Sequence, residues 1–196
     1  MLHLWSAETF RYVGAQEQWF NEGVTEYLTF RLATKLGILD QTQVLNAFST
    51  PVSNYLSANG IGEYSLDSAA ATPDLKRQHY FLLYHGGFVA GMVLDHQIRS
   101  KSNGRHTIDD LMREIYKKHS RTKLYTNASI LELINSSMKL DFSEFFKRYV
   151  YTENIIPVGD YFDLGMLKLA DAGVVPLNGK NQKILANMLM LELNQD

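Results

Sequence analysis

Tyr80-Phe81-Leu82-Leu83-Tyr84-His85-Gly86-Gly87-Phe88-Val89-Ala90-Gly91-Met92-Val93-Leu94 is the stretch on which the fold turns. On a helical projection Leu82, Leu83, Ala90, Val93 and Leu94 fall on one side and Tyr80, Tyr84 and Phe88 on another. A helix that is apolar all round belongs at the centre of a domain, walled in by its neighbours. Thr72-Pro73-Asp74 supplies its start, with Thr as N-cap and Pro in the first turn, where a missing N–H costs nothing. The spacing predicts one central helix from Thr72 to about Arg99.

Working outward, apolar residues recur at helical rather than alternating intervals. Upstream, Gln16 to Leu36 reads as a helix carrying Trp19, Phe20, Gly23, Tyr27, Phe30 and Ala33, closed by Gly37 as a left-handed cap. Gln41 to Leu56 reads as another, with Asp40 as N-cap and Pro51 as a kink or break. Ser57 to Asp74 is rich in Ser, Ala and Gly and reads as a connection, with one short helical turn or strand at Gly62 to Leu66. Downstream come Thr107 to His119, Ser129 to Leu140 and Asp141 to Val150. Ser129-x-x-Glu132 and Asp141-x-x-Glu144 are read as capping boxes that start the last two. Ile155 to Val158 is the one strand candidate, and Asn181 to Leu193 reads as a final amphipathic helix. The expected class is mainly α, with residues 1–196 as a single helical domain.

Composition narrows the function. With 196 residues the chain can bury about 70% of its unfolded surface, enough for a core without disulfides. Nineteen basic and 21 acidic side chains leave a net charge of −2, which supplies no electrostatic footprint for nucleic acid or an anionic membrane. No apolar run reaches the 18 residues of a membrane span, and Met1-Leu2-His3-Leu4-Trp5 lacks the basic flank of a signal peptide. Cysteine is absent, so disulfides, thiolate metal sites and Cys nucleophiles are excluded, while the compartment stays open. Any metal site must use His, Asp or Glu.

Two residues stand out against the helical background. His3 and Glu22 are 19 positions apart, and Glu22 is bracketed by Trp19, Phe20, Gly23 and Tyr27. A carboxylate on such a half-buried face needs a cation, a metal or a proton.

At this point the chain resembles the gluzincin metallopeptidases, whose zinc is held by the two His of HExxH and by a Glu separated from the second His by 18 intervening residues. Trp19-Phe20-Asn21-Glu22-Gly23-Val24-Thr25-Glu26-Tyr27 is similar to the family segment W-[LF]-x-E-G-x-[TA]-x-Y around that Glu. The closer likeness is to the glycyl aminopeptidase family. Tyr84-His85-Gly86-Gly87-Phe88-Val89-Ala90, Leu94-Asp95-x-x-Ile98-Arg99, Ile108-Asp109-Asp110-Leu111-Met112 and Phe142-x-x-Phe145-Phe146-x-x-Tyr149-Val150 follow in its order. The resemblance implies the helical subdomain of a thermolysin-like catalytic fold. It further implies zinc as cofactor, a peptide as substrate, His3 and Glu22 as metal ligands, and Tyr84 as a hydrogen-bond donor to the oxyanion. Gly86 stands where the family often has Lys, and His85 is an uncommon neighbour of the Tyr. Glu26, one turn from Glu22, would orient ligands.

If His3 closes an HExxH, Met1 and Leu2 are its two variable residues, and the first His and the catalytic Glu precede residue 1. The expectation is then a part of a larger peptidase that by itself binds zinc weakly or not at all and is inactive. The alternative is a non-catalytic helical module that binds a partner through the apolar face of Leu2, Leu4, Trp5, Phe10 and Tyr12, a face that also predicts self-association. Taken alone, Glu22 reads as a solvated residue or a partner for Arg31 or Lys35. His79, His85, His96, His106 and His119 read as surface residues.

Overall fold

The computed structural model describes residues 11–119 and 123–162, and the architecture there is helical. A 3-10 turn, Ala15–Glu17, leads into a π-helical turn, Trp19–Val24, which continues without a break into α1, Thr25–Lys35. The other helices are α2 (Gln41–Leu56), α3 (Pro73–Gln78), α4 (Tyr80–Lys101), α5 (Ile108–Lys118), α6 (Asn127–Ser137) and α7 (Ser143–Tyr149). A 3-10 turn, Val158–Asp160, closes the described part. No helix among the described residues is long and apolar enough to cross a membrane.

The apolar stretch from Tyr80 to Leu94 forms the N-terminal part of α4. Leu83, Phe88, Val89, Ala90, Val93, Leu94 and Ile98 are fully buried. At about 1.5–3 kcal/mol for each large apolar side chain removed from water, this helix organises the core. It packs along the π-helical turn and α2 and touches α1, α3 and α5, while α6 lies on α5. Rings knit the centre: Tyr27, Phe48 and Phe88 meet edge to face with centroids 5.5–6.1 Å apart.

Several boundaries follow the sequence reading. Asp40 caps α2, its Oδ1 accepting from the Gln43 N–H at 2.8 Å while the Asp40 N–H donates to Gln43 Oε1 at 2.9 Å. Thr72 Oγ1 accepts from the Leu75 N–H, with Pro73 in the first turn of α3. Gly37 follows α1 with φ +65°, the left-handed conformation that closes a helix.

Elsewhere the structure corrects the reading. The predicted helix from Thr72 to Arg99 is two helices, interrupted at His79, whose ring packs at a tilt of 34° against Tyr64 with centroids 4.3 Å apart. Its Nδ1–H donates to the Asn59 carbonyl at 2.9 Å, and its backbone departs from helical values at φ −107° and ψ 32° while its own N–H and carbonyl keep their bonds to Leu75 and Leu83. Pro51 does not break α2, which runs through it from Gln41 to Leu56, with Phe48, Val52 and Tyr55 buried in the core on both sides of it. The start of α6 is Thr126 rather than Ser129: the two side chains cap reciprocally, Thr126 Oγ1 taking the Ser129 N–H and Ser129 Oγ the Thr126 N–H. Asp141 bonds the Ser143 N–H just ahead of α7 instead of capping it at a distance. Gly62 to Leu66 forms turns.

No strand occurs among the described residues, Ile155 to Val158 included; an isolated parallel bridge joins Tyr12 to Tyr125. Two of the histidines read as surface residues are buried, His79 and His119. The predicted helix from Asn181 to Leu193 lies outside the described residues. So do Leu2, Leu4, Trp5 and Phe10 of the proposed apolar face; its remaining member, Tyr12, turns inward against Tyr125.

Candidate functional site

Glu22 sits on the π-helical turn, whose other side chains explain its position. Trp19 and Phe20 are buried, and the Trp19 indole N–H donates to Asn127 Oδ1 at 3.0 Å. Glu17, itself buried, accepts from the Gly14 N–H at 3.0 Å and from the Asn127 N–H at 3.2 Å, at the first turn of α6, where a carboxylate is favoured. These bonds fix the turn from one side. From the other side α4 approaches at backbone distance: a Cβ built on Gly23 would lie 2.4 Å from the Gly87 carbonyl carbon. Only glycine at both places permits that approach.

The close approach brings the Tyr84 phenol beside the Glu22 carboxylate, near enough for that charge to act on it. Lys76, from α3, places its Nζ 3.5 Å from Glu22 Oε1 and 5.7 Å from the centroid of the Tyr84 ring, within cation–π range. Tyr80 stacks on Tyr84 with centroids 4.3 Å apart and planes 21° from parallel. The Glu22 carboxylate is thus enclosed by an ammonium and a phenol, with a second ring behind the first. Arg31 and Lys35, its alternative partners on the sequence reading, are not used; Arg31 turns to Asp95 and Asp109 instead.

The electrostatics follow from this crowding. Burial, then the Glu22 charge, push the Tyr84 phenol well above the usual tyrosine range, so it stays protonated as a donor at any neutral pH. Burial and then Glu22 also raise Tyr12, while burial, Glu26 and Glu22 raise Tyr80. Glu26 is half-buried, and burial followed by the neighbouring Glu22 raises its carboxyl. Close by in sequence, Gln18 Oε1 and Asn21 Oδ1 are buried without hydrogen-bond partners.

A second polar cluster lies deeper along the same helices. Asp95, 1% exposed, accepts from the Tyr27 hydroxyl at 2.8 Å, from Arg99 Nε at 3.0 Å and from the Ile108 N–H at 2.9 Å. Arg31 Nε lies 3.4 Å from its other face, and the Arg31 guanidinium forks onto Asp109 at 2.7 and 3.0 Å. With Tyr27, Arg31, Arg99 and the Ile108 N–H gathered on one carboxylate, this is a structural hub linking α1, α4 and the start of α5.

Of the residues singled out in the sequence, Glu22 and Tyr84 come together, and His3 lies outside the described residues. Lys76 and Tyr80 were not foreseen. Lys76 reads only as a polar residue of a helix start, and Tyr80 only as part of an aromatic run; what could have found Tyr80 is its place one turn before Tyr84. Among the described residues no group of three or more His, Asp or Glu side chains is arranged to hold a metal ion. Residues 3–131 match the family model described as M61 glycyl aminopeptidase. No curated protein matches the sequence.

Proposed function

We infer, from the fact that this chain belongs to the M61 glycyl aminopeptidase family, that it serves zinc-dependent hydrolysis of peptide bonds. In this reading Glu22 and His3 are zinc ligands and Tyr84 donates to the oxyanion. Membership makes the function peptidase-related; the metal, the aminopeptidase specificity and the residue roles are our assignments. The observation that carries them is the meeting of Glu22 and Tyr84, 62 positions apart in sequence, with the Lys76 ammonium 3.5 Å from the same carboxylate.

The donor chemistry fits zinc in part. Glu22 offers a half-buried carboxylate oxygen against which a cation, the Lys76 ammonium, already rests. His3 would add an imidazole, and together they supply two of the three protein ligands of a catalytic zinc site. In this reading the described helices belong to a larger catalytic domain, which would provide the remaining ligand and the general base. When bound, zinc contributes Lewis acidity and water activation. The part of this chain is to present the carboxylate, to hold the Tyr84 proton on its oxygen through neutral pH, and to bring both to the carbonyl of a peptide. A donor of this kind is worth about 3–4 kcal/mol in hydrolases. Glu26, one turn on, orients ligands from behind. A free amino terminus is the favoured substrate feature, by family likeness.

The test is to extend the chain upstream of Met1 and to assay both lengths on amino-acid arylamides with and without a chelator. The longer form is expected to cleave, to stop when chelated and to fail with Glu22→Gln. The 196-residue chain is expected to bind zinc weakly in isothermal titration. Chelator-resistant cleavage, or tight 1:1 zinc binding by the shorter chain, would overturn this account.

A further inference from the structure

Beside the Glu22–Tyr84 pair the surface is aromatic. Tyr80 and Phe81, adjacent in sequence, are 48% and 45% exposed. Each is backed by a ring one turn along α4: Tyr84 behind Tyr80, and His85 behind Phe81 with centroids 5.1 Å apart and planes 16° from parallel. The two stacks meet edge to face through Tyr80 and Phe81, centroids 5.8 Å apart. Burial holds His85 toward its neutral form, so no charge interrupts the wall.

We propose that this double stack is a subsite for a planar apolar side chain, such as Phe, of a peptide bound across Tyr84. The proposal rests on the peptidase reading for its choice of ligand. Size argues for a side chain over a protein surface. An aromatic residue offers 150–250 Å², so two rings about half exposed present roughly 200 Å². A stable protein interface needs about 800 Å² from each partner. The flanking Arg77 and Gln78 are exposed polar residues, which bound the patch on the α3 side. Roughly 200 Å² is what one aromatic side chain can cover. The rings are already held by their stacking partners, so little side-chain freedom is lost on binding. The wall is continuous with the site, because Tyr84 is both the backing ring of one stack and the neighbour of Glu22. A residue seated on Tyr80 therefore lies beside the phenol, as a side chain flanking the scissile bond must.

The probes are glycyl-phenylalanine amide and glycyl-alanine amide, and the readout is saturation transfer from the 196-residue chain without added metal. Phenyl protons are expected to receive the strongest transfer. Affinity for the Phe probe is expected to fall about three- to tenfold in Phe81→Ala and in Tyr80→Ala, the range that aromatic pairing supports. Both positions are half-exposed, and Tyr80→Leu and Phe81→Leu keep apolar bulk if an alanine variant unfolds. No transfer to the phenyl ring, equal transfer to the alanine probe, or unchanged binding in the variants would each overturn the subsite. No zinc is involved, so a failure here leaves the metal-dependent reading standing. Aromatic binding accompanied by chelator-resistant cleavage would sink that reading alone.

Discussion

Gly23 and Gly87 meet backbone to backbone. A methyl group on Gly23 would fall 2.4 Å from the Gly87 carbonyl carbon, and one on Gly87 would fall 2.2 Å from the Trp19 carbonyl oxygen. Neither clash can be relieved by a side-chain rotation, because main-chain atoms stand on both sides. The separation between the helix that carries Glu22 and the helix that carries Tyr84 is set here.

Gly87→Ala should therefore destabilise by about 3 kcal/mol, at the upper end of overpacking costs. Gly37→Ala should cost only about 1 kcal/mol, since the penalty there is the φ of +65° with open space around the position. Urea denaturation of the two variants checks the contrast. Equal losses would mean that the helices can move apart freely.

Asp95→Ala should be among the most damaging single changes, costing about 3–5 kcal/mol. It strands Arg99 and leaves the Ile108 N–H and the Tyr27 hydroxyl without their acceptor in the interior. The same denaturation series measures it, with Asp74→Ala as comparison, since the Asp74–Arg77 pair is an exposed contact of adjacent turns and should be worth under about 1 kcal/mol.

Acid should weaken the fold through Asp109. Burial alone would raise its carboxyl, but the hydrogen bonds and charge of Arg31, with Lys35 and Arg99, carry it below the usual value of 3.8. The unfolded chain therefore binds this proton more readily, so the stabilisation is fully present above about pH 4 and fades as the pH falls through the lower, folded value. Asp109→Asn should be less stable than the parent at pH 7 and show a shallower loss of stability below about pH 4 in pH-dependent thermal melts.

Tyr84→Phe separates catalysis from packing. The ring remains stacked on Tyr80 while the hydroxyl beside Glu22 is gone. Turnover of arylamides by the complete catalytic domain should drop by about a hundred- to a thousandfold, with stability changed by under about 1 kcal/mol. A loss of turnover below tenfold would remove Tyr84 from the reaction.

The central helix and the caps at Asp40, Thr72 and Gly37 were legible in the sequence, because each depends on local chemistry: an all-round apolar surface, a short side chain that accepts a bond, a residue tolerant of positive φ. The Glu22–Tyr84 pairing was legible only through family likeness. No periodicity relates residues 62 positions apart, and the glycine pair that joins them has no side chain to signal it. Lys76 was invisible for a similar reason: its role depends on the break at His79, where a loop carbonyl and the Tyr64 ring meet the residue from outside the helix. Asp95 appears in the sequence only within the Leu94-Asp95-x-x-Ile98-Arg99 likeness, and its role as a hub is not local, because its partners arrive from α1 and the start of α5.

The π-helical turn at Trp19–Val24 acts as a phase shifter in the chain. Removing one residue from it would let an ordinary α-turn close and would rotate everything upstream by about 100° relative to α1. The Trp19 anchor on Asn127 and the Glu22 carboxylate could then no longer face their partners together. Lengths within this short segment are accordingly intolerant of deletion, whichever of its side chains tolerate replacement.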